Sequence, residues 1–353
     1  MAQAMPHEEP LMSTTLPPPA APLSIADLRS PDLMALQREA MAQDHARLHA
    51  HLDDFVAVPC PACGRTEATH AFEKYRCQFL RCRDCETLYM SPRPTPALMD
   101  DYYSHSENYR LWAERIFPAS EANRREKLCR PMFDSIVEAC RRHGVPTGHL
   151  VELGPGFGTF AELAKNSGEF VRVSVVERTP EMAASCRQRG LEVHECAAED
   201  LPAGSSDMAD VLVCFEVIEH VFDPAAFLAA ASRLLRSGGL LVMTCPNGQG
   251  FDTATLGAAS VAVDTEHVNL FNPRSMARLL SGCGYEVLDI TTPGRLDVEL
   301  VREAALQGSF EVKDQPFLRR VLIDEYERLG PALQRLLADQ GLSGSMRVIA
   351  RKA

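Results

Sequence analysis

Apolar positions in the C-terminal part of the chain come in short runs, separated by longer stretches with helical spacing. Runs near 149–153, 171–176, 209–215 and 240–245 have the length of strands, and their near-continuous apolarity suits strands covered on both faces. Between the last two, Asp223 can cap a helix, Pro224 suits its first turn and Gly238-Gly239 ends it. Asn272-Pro273 opens another helix through 276–280, stopped by Gly282 and Gly284. Residues 285–291 and 346–351 read as the last strands, with a mostly helical stretch inserted at 295–342. Strand and helix in alternation predict an α/β domain with a mostly parallel sheet over 146–353.

The N-terminal part is organised differently. Residues 1–23 are rich in Pro, Ala and Met and read as a disordered tail. Residues 24–57 carry a helical pattern, with Leu28, Leu33, Leu36 and Leu48 as candidates for its apolar face. A cysteine-bearing module occupies 58–93. Residues 94–145 form a helical linker or lid, expected to break at Pro118 and Pro131 and to stop at Gly144. No internal repeat is found.

Composition narrows the function. The chain has 353 residues, 46% apolar and 24% charged, as in an ordinary globular protein. No run approaches the ~18 consecutive apolar residues of a membrane span. Glu8 and Glu9 stand where a secretory signal would need basic residues, so the expected location is cytoplasmic. A formal charge of −12 counts against a nucleic-acid partner, although Arg124, Arg125, Lys127 and Arg130 could form a local basic patch. Of twelve cysteines, Cys186, Cys196, Cys214 and Cys245 lie in or beside apolar segments, where reduced Cys packs as a small hydrophobe.

The most specific chemistry lies in Val151-Glu152-Leu153-Gly154-Pro155-Gly156-Phe157-Gly158-Thr159-Phe160, a buried strand running into a glycine turn with helical sequence after it. A dinucleotide turn wants G-x-G-x-x-G, but Thr159 stands at the third glycine's position, which weakens a nicotinamide oxidoreductase reading. The acid followed by G-x-G-x-G resembles the first motif of class I methyltransferases that use S-adenosylmethionine (SAM). Glu177 closes an apolar strand 19 residues after Gly158, where a carboxylate can accept hydrogen bonds from both ribose hydroxyls. Cys196-Ala197-Ala198-Glu199-Asp200-Leu201-Pro202 is similar to the family's loop beside adenine. Many relatives have an acid where Ala197 stands, so Glu199 or backbone groups near Ala198 would read the base here.

The resemblance implies a Rossmann-like sheet of seven strands whose final hairpin is antiparallel. It also implies a cofactor site made by Glu152, Gly154, Gly156, Gly158, Glu177, Ala198, Glu199 and Phe215, the last beside the methyl group.

Glu216-Val217-Ile218-Glu219-His220 follows the strand that reaches this centre. At i, i+3 and i+4, Glu216, Glu219 and His220 would share one face of a helical turn. The pattern E-x-x-E-H resembles that of ubiquinone-pathway O-methyltransferases and small-RNA 2′-O-methyltransferases, where these residues hold a divalent cation. His267 is a further candidate ligand, and Mg²⁺ or Mn²⁺ would suit the donor set. The plainer reading is an acidic helix start opposing the dipole, with His220 paired to Glu216. Without a metal, His220 or His267 could act as general base.

Cys60-Pro61-Ala62-Cys63 and Cys82-Arg83-Asp84-Cys85 have zinc-ribbon spacing, and four thiolates would leave a structural Zn²⁺ no open position. The run from Arg81 through Ser91-Pro92-Arg93-Pro94-Thr95, followed by Tyr102-Tyr103, resembles the front end of bacterial methyltransferases with an N-terminal zinc module. Many of those act on sugar nucleotides, polysaccharides or secondary metabolites. Some rRNA methyltransferases carry a similar module that contacts RNA. Tyr102, Tyr103, Tyr109 and Trp112 could form a lid or pack a junction. The expected protein is a SAM-dependent methyltransferase acting on a hydroxyl of a sugar, glycan or other small polar metabolite. The alternatives are a nucleic-acid methyltransferase and a non-catalytic SAM-binding scaffold.

Overall fold

The computed structural model describes residues 23–353 apart from 30, 203, 204 and 207, so the expected tail lies almost wholly outside the described residues. The cysteine module contributes β1 (Ala68–Lys74), β2 (Cys77–Cys82) and β3 (Leu88–Met90). The main domain follows with β4 (His149–Leu153), β5 (Arg172–Val176), β6 (Glu192–His194), β7 (Ala209–Phe215), β8 (Leu235–Pro246), β9 (Asn269–Leu270), β10 (Tyr285–Thr291) and β11 (Ser345–Lys352). Seven of these form one sheet in the order β10-β11-β8-β7-β4-β5-β6, with β10 and β11 antiparallel. The expected Rossmann-like α/β sheet and its closing hairpin are therefore present.

β4 and β7 are buried along nearly their whole length because helices cover both faces of the sheet. The chain winds outward from β4 through β5 to β6, then returns to β7 on the other side of β4. The carboxyl ends of β4 and β7 thus flank a topological switch point, where open α/β sheets bind ligands.

Three elements differ from expectation. The helix after Asp223 ends at Leu234, not at Gly238, and β8 starts at once with Leu235. The early start is accommodated by a register shift between Ala209 and Val211 on β7. Pro118 and Pro131 do not break the lid. Each sits in the first turn of an α-helical stretch, preceded by a five-residue π-turn at Trp112–Ile116 or Arg125–Cys129. That wider turn accommodates a ring lacking an N–H, so residues 107–143 run as one helix. Finally, the helix Pro31–His49 turns Gln37, Ala40, Asp44, His45 and Leu48 inward while Leu36 is exposed. Its inner face is largely polar because Asp44 accepts from Ser106 Oγ (2.6 Å) and the Glu107 and Asn108 amides (2.9 Å each), capping the lid helix.

The inserted stretch is helical, as Asp297–Leu306, Pro316–Arg319 and Tyr326–Asp339 with a π-turn before the last, packed around Val301, Leu322 and Leu337. The cysteine module is folded into the main body: its sheet takes β9 as a fourth strand, Leu88 opposite Leu270 and Tyr89 opposite Asn269. Among the described residues no helix is long and apolar enough to cross a membrane.

Candidate active site

Leaving β4, the backbone turns through Gly154, Gly156 and Gly158 at φ of 66°, 56° and 80°, into the helix Thr159–Ser167. A side chain at Gly158 would meet Cys186 Sγ at 2.9 Å, whereas one at Gly156 would enter open space. The turn is therefore packed from behind and open in front.

Two acids bracket it. Glu177 follows β5, is buried, and accepts the Thr179 N–H at 2.8 Å. Burial raises its carboxyl, and backbone donors at Thr179, Gly156 and Arg178 draw it back down. Glu152 is 3% exposed, with Oε2 lacking any partner. Burial pushes it up to about 8, the Ala161 N–H opposing and Glu177 adding. A buried acid with a free oxygen, a second acid at the strand end and a glycine with open space in front suit a ligand carrying a cation and a ribose diol. This donor set fits SAM. Ala198 is buried and lines, with Ala230 and Leu234, a cavity of about 190 Å³; Glu199 lies at the surface. Phe215, ending β7, meets Phe160 edge to face at 4.8 Å.

The acceptor half begins where β7 ends. Glu216 does not open a helix: its φ is 54°, and its N–H remains tied to Thr244 O on β8 at 2.9 Å. That tether carries strand pairing one residue past β7, so Glu216 and Glu219 do not share a helical face. The turn that follows instead places Glu219 and His220 beside His267, their ligand atoms all within 4.8 Å of one another, and Glu216 is outside this trio. His220 and His267 pack edge to face with centroids 4.7 Å apart.

Glu219 is fully buried and neither carboxylate oxygen has a partner. Burial and then Glu216 hold its carboxyl well above the usual range. His220 is pushed down to about 3 by burial, then by His267, and is neutral. His267 Nδ1 lies 2.8 Å from Ala262 O; a carbonyl only accepts, so Nδ1 carries the proton and Nε2 is the basic nitrogen.

Tyr102, Tyr103 and Tyr109 form a ring cluster that reaches this half. Tyr103 Oη lies 3.4 Å from His220 Nδ1, and the Tyr103 ring meets those of Tyr102 (5.6 Å) and Tyr109 (5.0 Å) edge on. Desolvation, then the charges of Glu266, Glu177 and Glu219, raise the Tyr109 phenol. Sequence reasoning missed Tyr103 as a contact of His220. It also missed Glu266, which accepts from Tyr102 Oη at 3.1 Å and is pushed up to about 8 by burial and Asp264. The acid-rich run around His267 was the available signal.

In the cysteine module, the Sγ atoms of Cys60 and Cys85, Cys63 and Cys85, and Cys63 and Cys82 stand 3.5, 3.5 and 3.6 Å apart. Tetrahedral Zn–S bonds of about 2.3 Å require S···S edges of about 3.8 Å, so the four thiols fit the ion after a small expansion. Cys77 is packed elsewhere, against Phe79 and Val268.

Residues 107–290, from the lid through β10, match the family model described as methyltransferase domain. The chain belongs to this family. It is a SAM-dependent methyltransferase with a cysteine module ahead of the matched region. Similar proteins include the ubiquinone biosynthesis O-methyltransferase of Xanthomonas oryzae pv. oryzae, 26% identical over 215 residues that cover 57% of this chain and 88% of the relative. The enzyme of the same name from Leptothrix cholodnii is 28% identical over 150 residues, covering 39% of this chain and 64% of that one. A similar solved structure is geranyl diphosphate C-methyltransferase from Streptomyces coelicolor A3(2), with a TM-score of 0.41 at 16% identity, covering 70% of this chain and 83% of that one.

Proposed function

We propose that this methyltransferase acts on a hydroxyl of a small polar acceptor, a sugar or another metabolite, with His267 taking the hydroxyl proton. The observation that carries the reading is the trio Glu219, His220 and His267 beyond the end of β7, with a basic Nε2 on His267. SAM supplies a methyl group already activated by its sulfonium charge, so placement of the nucleophile does much of the work. The acceptor oxygen bonds to that carbon as the C–S bond breaks, and the hydroxyl proton passes to His267 Nε2. The O-methyltransferase names of the relatives support oxygen as the accepting atom.

On this reading Gly154, Gly156 and Gly158 cradle the aminobutyrate end, Glu152 faces its ammonium and Glu177 holds the ribose. Phe215 borders the methyl group, and the backbone near Ala198 and Glu199 borders adenine. Cys60, Cys63, Cys82 and Cys85 hold a structural zinc. In a metal-assisted variant, Glu219, His220 and His267 Nε2 would instead hold Mg²⁺ or Mn²⁺, which would lower the hydroxyl's pKa in place of His267 acting as base; the two unpartnered oxygens of Glu219 suit this variant.

Turnover, read as S-adenosylhomocysteine formation across sugars and other small hydroxylated metabolites, together with SAM calorimetry, tests the assignment. His267→Ala should lower turnover by roughly 10²–10⁴-fold and leave SAM affinity nearly unchanged. Equal losses in both would place His267 in the cofactor pocket or the scaffold instead.

A further inference from the structure

Arg93 is 1% exposed and heads the fully buried side chains by size. Among the described residues no carboxylate lies within ion-pair distance of it. A guanidinium buried without a counter-ion is costly unless most of its five N–H donors find acceptors. Here it is spent on oxygens from three segments. Nε donates to Met90 O at 3.0 Å, at the end of β3. Nη1 donates to Phe222 O at 3.3 Å and to Asn269 Oδ1 at 2.9 Å, and Nη2 to Val268 O at 3.3 Å.

Asn269 completes the join. Its Nδ2 donates to Ile218 O (3.1 Å) and Val221 O (2.7 Å), and its backbone N–H to Glu219 O (3.0 Å). Four carbonyls of the turn that bears Glu219 and His220 are thus held by Arg93 and Asn269, and Val268 and Asn269 directly follow His267. Arg93, the last residue of the module, is itself fixed through reciprocal 2.9 Å backbone bonds with Val56, just ahead of the module.

We infer that Arg93 is a positioning residue for the acceptor side. Its guanidinium ties the turn at 218–222 to the strand after His267 and so sets the 4.7 Å packing of the two imidazoles. The inference rests on the proposed reading of His220 and His267 as the acceptor-side pair. On it, the cysteine module holds the platform from which Arg93 reaches both segments. Lysine cannot replace Arg93, because one ammonium centre cannot span carbonyls on three segments.

The test is Arg93→Lys in the full-length, zinc-loaded chain, followed by NMR. The imidazole resonances of His220 and His267 should move, while those of His149, bonded within the sheet to Met208 O and Ser174 Oγ, should not. Exchange of the Asn269 amide should rise by about 10-fold relative to the Gly154 amide at the cofactor end. SAM affinity should stay within about twofold. Unmoved His220 and His267 resonances would overturn the inference, and so would Gly154 exchange rising as much as that of Asn269. If Arg93→Lys does not fold, Arg93→Gln, which keeps amide donors but cannot reach all three segments, is measured in the same way with the same outcomes expected. A His267→Ala variant with undiminished turnover would sink the catalytic reading and leave these resonance results to stand or fall separately.

Discussion

Alanine at Gly156 and at Gly158 should damage this enzyme in opposite ways. Both glycines have left-handed backbones, at φ of 56° and 80°, so either substitution carries a strain of about 1–2 kcal/mol. At Gly156 the new methyl meets nothing within 4 Å, and that strain is the whole stability cost. At Gly158 it would stand 2.9 Å from Cys186 Sγ and 3.0 Å from Leu191 Cδ1, both buried, adding about 1–3 kcal/mol of overpacking. Thermal unfolding without ligand should therefore show Gly158→Ala melting several degrees below Gly156→Ala, at about 2–4 °C per kcal/mol. Calorimetry with SAM should show the reverse order. The Gly156 methyl enters the open front of the turn and should weaken binding at least ~10-fold, about 1.4 kcal/mol. The Gly158 methyl lies behind the turn and should weaken it less. One variant being worse in both assays would refute the division of the turn into a packed back and an open front.

Metal analysis should find one zinc per chain. Cys63→Ser or a strong chelator should lower the unfolding midpoint and turnover while SAM binding persists; full activity without zinc would end the structural role. Glu177→Gln removes a charged acceptor and should weaken SAM binding by roughly 10–100-fold, the scale of a charge-assisted hydrogen bond, as calorimetry would report. Glu152, raised from 4.5 to about 8, binds a proton in the folded state over a pH range where the unfolded chain has lost it. Unfolding free energy of the ligand-free enzyme should therefore fall as pH rises from about 5 to about 8, by at most a few kcal/mol. Glu152→Gln should flatten part of that decline in pH-resolved melting curves, the remainder coming from Glu266, Glu219 and the other carboxyls that burial raises. An unchanged slope would mean Glu152 titrates normally.

Much of the scaffold was legible because its signals are local. β4, β5 and β7 occupy the stretches where apolar runs placed strands, since a strand covered on both faces must be largely apolar. The glycine turn and the C-x-x-C pairs are equally local, each dictated by a backbone or ligand geometry within a few residues. Helix ends were less legible: the helix stops at Leu234 because Leu235 already pairs with β7, and Gly238 falls in the irregular stretch of β8 before pairing resumes at Leu240. The lid prolines were absorbed by π-turns, whose register depends on what the helix packs against.

The acceptor site was the part that only tertiary structure decided. Spacing placed Glu216, Glu219 and His220 on one helical face, but the folded chain leaves Glu216 outside the tight trio and sets beside Glu219 and His220 the His267 imidazole, 47 positions beyond His220. The pairing of β3 with β9, and the reach of Arg93 into both loops, join segments more than 120 residues apart. No periodicity within one segment encodes such partners, because each carbonyl and imidazole acquires its role only from what the folded chain sets beside it.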